Sequence, residues 1–152
     1  MNGKKLAILT IIGLLVLGGA GFGYYTMKMN AESFRGIEVS VKGVEDEEVE
    51  SWVSAFSSAL KGEDVLKAIA EKSDYANTVG ISEGEAVQHL REAIKVKRSM
   101  PRRTIQIGLN GKRKQNTQLD EISRVILGLA APVVATQNPS FGAYYNQQLE
   151  NR

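Results

Sequence analysis

An uninterrupted apolar run near the N-terminus constrains this 152-residue chain more than any other feature. The twenty residues from Leu6 to Tyr25 carry no charge, and as an α-helix they would extend about 30 Å, the thickness of a bilayer's hydrocarbon core. A helix of a small globular domain would show a polar face, which this run lacks. Tyr24 and Tyr25 suit the headgroup region of a bilayer. The run predicts an uncleaved signal anchor, with residues 1–27 forming a cytoplasmic tip and a transmembrane helix.

A cleaved secretory signal is the alternative interpretation of this run. Cleavage after Ala20 would fit the small residues around it, but the apolar region of a signal peptide is typically about 7–15 residues, shorter than this run. Lys4 and Lys5 favour a cytoplasmic N-terminus. The chain has no cysteine, so an exported domain would have to hold together without disulfides. The expected location is a bacterial inner membrane, with a single pass and the main domain in the periplasm.

Gly19 and Gly23 form a GxxxG pair within the apolar run. This spacing lets two membrane helices approach closely and is compatible with a homo-oligomer. The alternative is that glycine is simply common in membrane helices.

Hydrophobic periodicity predicts one α+β domain after the anchor. Residues 28–35 are expected to form a juxtamembrane linker, residues 36–135 the periplasmic domain, and residues 136–152 a polar, flexible tail. The predicted element order is β-α-α-α-β-β-α, with strands at about 36–42, 96–98 and 104–110. The last two strands should pair antiparallel. The long helical connection between the first two suggests a parallel crossover, so we expect a small mixed sheet with helices packed on one face.

Local signals refine the predicted helices. Trp52 and Phe56 lie one helical turn apart on an apolar face and are expected in the core. Ser82 and Glu85 have the spacing of a capping box and start the third helix. Pro132 is expected to end or kink the last helix.

The ordered set of segments resembles the membrane-proximal domain of chain-length determinant proteins, the Wzz-type polysaccharide co-polymerases. The segments are EDVLKAIAEK, SEGEAVQHLREAIKV, RTIQIGLNG and LDEISRVIL, together with the N-terminal membrane helix. The residues that match the family pattern are Val65, Leu66 and Ala68; Ser82, Glu83, Glu85 and Leu90; Lys95 and Val96; and Ile105 and Ile107.

The resemblance implies a non-catalytic scaffold that oligomerises through its periplasmic domain in lipopolysaccharide or other surface polysaccharide biosynthesis. Expected partners are the lipid bilayer, further copies of the chain, and a polysaccharide polymerase or a lipid-linked glycan. The chain lacks the family's long coiled-coil insertion and has no second membrane helix. It therefore resembles a truncated member, and a membrane-tethered binding or adapter module for an envelope polymer or protein complex is the alternative.

Charged residues divide into two clusters of opposite sign that the net charge of +2 conceals. The candidate acidic interface consists of Glu45, Glu47, Glu48 and Glu50, and the candidate basic interface consists of Lys95, Lys97, Arg98, Arg102, Arg103, Lys112, Arg113 and Lys114. The basic residues are expected to converge at one end of the sheet. They would bind anionic headgroups or a lipid-linked diphosphate, an acidic polysaccharide, or the acidic interface of a neighbouring subunit in a ring. A solvated surface without a partner is the alternative.

Residues that carry enzyme chemistry are scarce. His89 is the single histidine, and it lies off the apolar stripe of its helix, so a solvated surface position is expected. The acidic cluster is better explained by the helix dipole than by a metal site. No nucleotide-binding or nucleophile-elbow motif is present. We therefore expect no catalytic residues, no cofactor, no metal and no nucleic-acid partner.

Overall fold

The domain is built around a three-stranded antiparallel sheet in which the last strand lies in the middle. The computed structural model describes residues 22–150, and its strands are β1 (Glu32–Ser40), β2 (Ile94–Ser99) and β3 (Thr104–Lys112) in the order β1-β3-β2. The α+β class expected from the periodicity is confirmed.

Seven helical segments accompany the sheet in the described part of the chain. Residues 22–30 are helical and are called α1. The others are α2 (Asp46–Ala59), α3 (Glu63–Lys72), α4 (Tyr75–Val79), α5 (Glu83–Ala93), α6 (Asn116–Gln137) and α7 (Pro139–Glu150), and a short 3-10 turn at Arg113–Gln115 joins β3 to α6. The Ser82 backbone N–H donates to Glu85 Oε2 at 3.1 Å, so the predicted capping box is present at the start of α5.

Alternation along β3 explains which face of the sheet the helices cover. Ile105, Ile107 and Leu109 are fully buried and face α6, which also packs on β1. The intervening Gln106 is half-buried, and its cross-strand neighbours Glu38 and Lys97 are exposed. One face of the sheet therefore forms the core, and the opposite face is polar, as the period of two predicts.

A pair of glycines brings the two longest strands together at the centre of the sheet. Gly36 and Gly108 are register partners. A Cβ on Gly108 would lie 2.0 Å from the carbonyl oxygen of Arg35, so only glycine fits there.

The mixed sheet expected from the sequence is wrong. β1 and β2 do run in the same direction, as the helical crossover requires, but β3 inserts between them and pairs antiparallel with both. The predicted antiparallel pairing of the last two strands is confirmed. With the most apolar strand in the middle, β3 has a neighbouring strand along each edge, and α6 covers the face that carries Ile105, Ile107 and Leu109.

Two predicted boundaries are also wrong. Residues 28–35 do not form a linker, because α1 continues to residue 30 and β1 begins at Glu32. Residues 136–150 do not form a flexible tail, because α6 extends to Gln137 and α7 follows at once.

Helix α7 completes the core that α2 begins. Phe141 is 2% exposed, and its ring lies 5.2 Å from that of Trp52 and 5.0 Å from that of Phe56, both edge-on. Trp52 Nε1 donates to Ser140 Oγ at 2.9 Å, and the Tyr144 hydroxyl donates to the Ser40 carbonyl at 2.7 Å. The predicted burial of Trp52 and Phe56 is confirmed. Both side chains pack against aromatic residues of the C-terminal segment.

Pro132 was expected either to end or to kink the last helix, and it does not end α6. The helix continues for five residues beyond it. Ala130, Ala131 and Val134 around it are buried, so packing offsets the backbone hydrogen bond that proline cannot donate.

The predicted membrane span, Leu6–Tyr25, lies almost entirely outside the described residues. Only its last four residues, 22–25, are described. Among residues 22–150, no helix is long and apolar enough to cross a bilayer.

Replacing Phe141 with alanine should lower the free energy of unfolding by about 3–5 kcal/mol, because it leaves a cavity between Trp52 and Phe56. Urea unfolding followed by the fluorescence of the single tryptophan measures this. Leu149→Ala on the same helix is the matched control, since Leu149 is 52% exposed. Equal effects of the two changes would mean that α7 does not belong to the core.

Candidate functional site

The β2–β3 hairpin carries a set of ion pairs with the start of α2. Arg98 Nη2 lies 2.7 Å from Asp46 Oδ1, and its Nη1 binds Glu50. Arg103 Nη1 lies 2.8 Å from the same Asp46 oxygen, and Arg103 Nη2 donates to the Val44 carbonyl. Two arginines of the candidate basic interface are thus neutralised within the chain.

A third arginine of the hairpin is paired on the polar face of the sheet. Arg102 Nη1 lies 2.8 Å from Glu38 Oε1, which also accepts a hydrogen bond from Gln106 Nε2 at 2.8 Å. The hydrogen bond from Gln106, followed by that from Arg102, lowers the pKa of Glu38.

These pairs weaken the ring contact expected between neighbouring subunits. Glu50 of the candidate acidic interface is occupied by Arg98, and Asp46 beside it holds both Arg98 and Arg103. The remaining members of the acidic interface, Glu45, Glu47 and Glu48, are exposed on the first turn of α2 or just before it.

The candidate basic interface does not converge at one end of the sheet, so that expectation is wrong. Arg102 and Arg103 lie at the hairpin before β3, whereas Lys112 is the last residue of β3 and Arg113 and Lys114 follow it. The nine residues of β3 separate the two groups by about 27 Å. Lys95 and Lys97 lie between them on the polar face of β2, where Lys97 Nζ is 4.1 Å from the ring centre of Phe34.

We call Lys112, Arg113 and Lys114 the basic turn. All three side chains are exposed, and within residues 22–150 none of them forms an ion pair with a carboxylate. The Arg113 backbone N–H donates to the carbonyl of Ala31 at 3.0 Å. Because Ala31 joins α1 to β1, the basic turn lies beside the point where the chain leaves α1.

A cleft of about 560 Å³ opens at the same end of the domain. β2 pairs with β3 only as far as Leu109, so the last residues of β3 form one wall and α5 forms another. The apolar lining consists of Val79, Ile81, Ala93 and Leu119, and the polar lining consists of Asn30, Glu32, Tyr75, His89, Glu92, Asn110, Lys112 and Gln115.

A hydrogen bond between Tyr75 and His89 forms part of the cleft wall. The Tyr75 hydroxyl lies 2.8 Å from His89 Nδ1. Tyr75 is only 1% exposed, whereas His89 is exposed. With a neutral imidazole, the hydroxyl donates to Nδ1 and the other ring nitrogen carries the hydrogen. Burial raises the pKa of Tyr75 to about 12. The ring of His89 is solvated as predicted, but one of its nitrogens has a protein partner.

No metal site is apparent in the described part of the chain, since no group of three or more His, Asp or Glu side chains comes together there. Gly23 of the GxxxG pair has open space around its Cα, and Gly19 lies outside the described residues.

Sequence reasoning missed the cleft because its walls come from segments that are far apart in the chain. Tyr75 starts the short helix α4, whereas Asn110 and Lys112 belong to β3. The asymmetry between β2 and β3 was the one available signal: a predicted third strand longer than its hairpin partner leaves an unpaired end.

Arg98→Gln should lower the free energy of unfolding by about 1 kcal/mol, because the Arg98 side chain is 18% exposed and binds two carboxylates. Arg102→Gln is the control on the same hairpin. Its side chain is 68% exposed, so its removal should leave stability within experimental error. Chemical unfolding at low and high salt measures both, and a larger effect for Arg102 would contradict the placement of the network.

Tyr75 should make the domain sensitive to alkaline pH. The folded state holds its pKa at about 12, above the value of about 10 in an unfolded chain. The unfolded state therefore releases this proton first, and stability is lost as pH rises from about 10 towards 12. Tyr75→Phe should remove about 1–2 kcal/mol of that loss, measured as the difference in unfolding free energy between pH 8 and 11. The native chain and the variant share all other tyrosines. An equal fall in unfolding free energy between pH 8 and 11 in the two proteins would therefore contradict the prediction.

Comparison with known proteins gives this chain no relatives: no protein-family model matches it, no curated protein does, and no solved structure does.

Proposed function

We propose that the chain is a non-catalytic, membrane-tethered module that binds the carbohydrate part of a membrane-borne glycan in the cleft beside α1. One observation carries the proposal: Asn30 and Glu32, which flank the junction between α1 and β1, both line that cleft. A helix that enters the bilayer at α1 would therefore hold the cleft next to the headgroup region.

Exposed apolar side chains on α1 support the membrane tether. Phe22, Tyr24, Tyr25 and Met27 are 59–78% exposed, and all four lie within six consecutive positions. Exposed aromatic residues in such density are costly in water but favourable at a bilayer interface. The uncharged run that precedes them has the length of a membrane span.

The polar lining of the cleft supports a hydroxyl-rich ligand. Asn30, Asn110 and Gln115 offer amides, and Glu32 and Glu92 offer carboxylates. Amides both donate to and accept from hydroxyls, and carboxylates accept from them. The apolar lining residues Val79, Ile81 and Leu119 offer the C–H face of a sugar ring a surface to pack on.

The chain-length scaffold implied by the resemblance stays a second proposal. Both proposals place the domain at a membrane and assign it a polysaccharide partner. They differ in oligomerisation, for which the internal pairing of Arg98 and Arg103 leaves fewer free charges for the expected contact between subunits. A changed length distribution of surface glycan after deletion of the gene would favour the scaffold.

A photo-crosslinking amino acid at Glu92 tests the proposed site in membranes of cells that produce the full chain. Glu92 is exposed and lines the cleft, and Glu47 on α2 is the matched control, since it is an exposed glutamate on a helix away from the cleft. We expect an adduct that stains for carbohydrate from position 92 and none from position 47.

An adduct from position 92 without carbohydrate, or equal labelling from both positions, would contradict the proposal. An adduct that consists of a second copy of the chain would favour the oligomeric scaffold instead.

A further inference from the structure

We propose that the basic turn, Lys112–Arg113–Lys114, is a docking surface for the anionic phospholipid headgroups of the membrane into which the chain inserts. This inference rests on the membrane tether of the proposed function and assigns a role to a surface of which only Lys112 lines the glycan cleft. The partner is the bilayer surface itself, recognised by charge.

The two groups of cations at the ends of β3 are used differently. At the hairpin, Arg98, Arg102 and Arg103 are bound to carboxylates of the same chain. In the basic turn, three consecutive cations are exposed, and in the described part of the molecule no carboxylate lies within ion-pair distance of them. The hairpin therefore has its counter-charge within the chain, whereas the basic turn is free to bind an anionic partner from outside.

Acidic residues near the basic turn are few and are partly engaged. Glu32 is the register partner of Lys112, and Glu92 lines the same cleft and accepts a hydrogen bond from Gln88. Asp120 is bound by Arg35 at 2.7 Å. The positive end of α6, which begins at Asn116, adds to the local positive potential.

The position of the basic turn relative to α1 sets its height above the membrane. Arg113 is held to Ala31 by a backbone hydrogen bond of 3.0 Å. Ala31 follows Tyr25 by six residues, which is about 9 Å along a helix. If the tyrosines lie at the membrane interface, Arg113 lies within the headgroup layer or just above it. Its distance from the interface is then about one Debye length at physiological salt.

Cations at that height attract anionic lipids strongly enough to measure. A lysine or arginine near an anionic surface favours binding by about fivefold, so two of them amount to about 25-fold, and salt screens the effect. The turn would thereby fix which side of the domain faces the bilayer and hold the cleft near membrane-borne ligands.

A single-cysteine label tests the contact, because the native chain has no cysteine. Gln118, exposed on the first turns of α6, is changed to cysteine in the full chain and labelled with a fluorophore. The protein is placed in nanodiscs whose lipids carry a headgroup quencher. One set is phosphatidylcholine alone, and the other contains one quarter phosphatidylglycerol.

We expect phosphatidylglycerol to raise quenching of the label about twofold, and 0.5 M salt or the double variant Arg113→Gln, Lys114→Gln to abolish the increase. The matched control is Lys42→Gln, Arg102→Gln, which removes the same charge at the opposite end of the sheet and should leave the increase intact. Equal quenching in both lipids, or an equal loss in both variants, would overturn the proposal.

Two further outcomes are separated by the same experiment. If soluble polyglutamate in phosphatidylcholine discs changes the signal and phosphatidylglycerol does not, the turn binds a soluble polyanion and the bilayer proposal is wrong. If the chain does not enter nanodiscs at all, the membrane tether fails, and that failure is seen before any quenching is measured.

Discussion

Burial of β3 between two antiparallel neighbours and beneath α6 is the interaction on which the rest of the structure depends. Ile105, Ile107 and Leu109 are fully buried, and β1 and β2 pair along almost their whole length with this one strand. The strand also sets the polarity of the domain. Its first residue follows the hairpin that binds α2, and its last residues carry the basic turn and form a wall of the cleft.

Individual helices and strands, and the residues that they bury, were largely predictable from the sequence. The alternating residues of β3, the capped helix α5 and the burial of Trp52 and Phe56 all follow from patterns within one element. Strand order was not predictable in this way, because a helical crossover between β1 and β2 is compatible both with adjacent parallel strands and with a third strand inserted between them.

Composition misled at both ends of the domain. The C-terminal segment is rich in glutamine, asparagine and glycine, yet Phe141 packs α7 against Trp52 and Phe56. The segment before β1 contains polar residues and was interpreted as a linker, but pairing with the end of β3 extends the strand to Glu32. The layout of the candidate basic interface could not be predicted without the strand bounds. Its residues are close in sequence, but those at the two ends of the nine-residue strand β3 lie about 27 Å apart.

We propose that one end of the domain, with its cleft and its basic turn, lies at a membrane surface. The most direct measurement is the mass of the mature chain together with its partition after alkaline carbonate extraction of membranes. The account predicts an intact chain that retains Leu6–Tyr25 and stays in the membrane pellet. A shortened chain that begins after Ala20 and is released into the supernatant would contradict it.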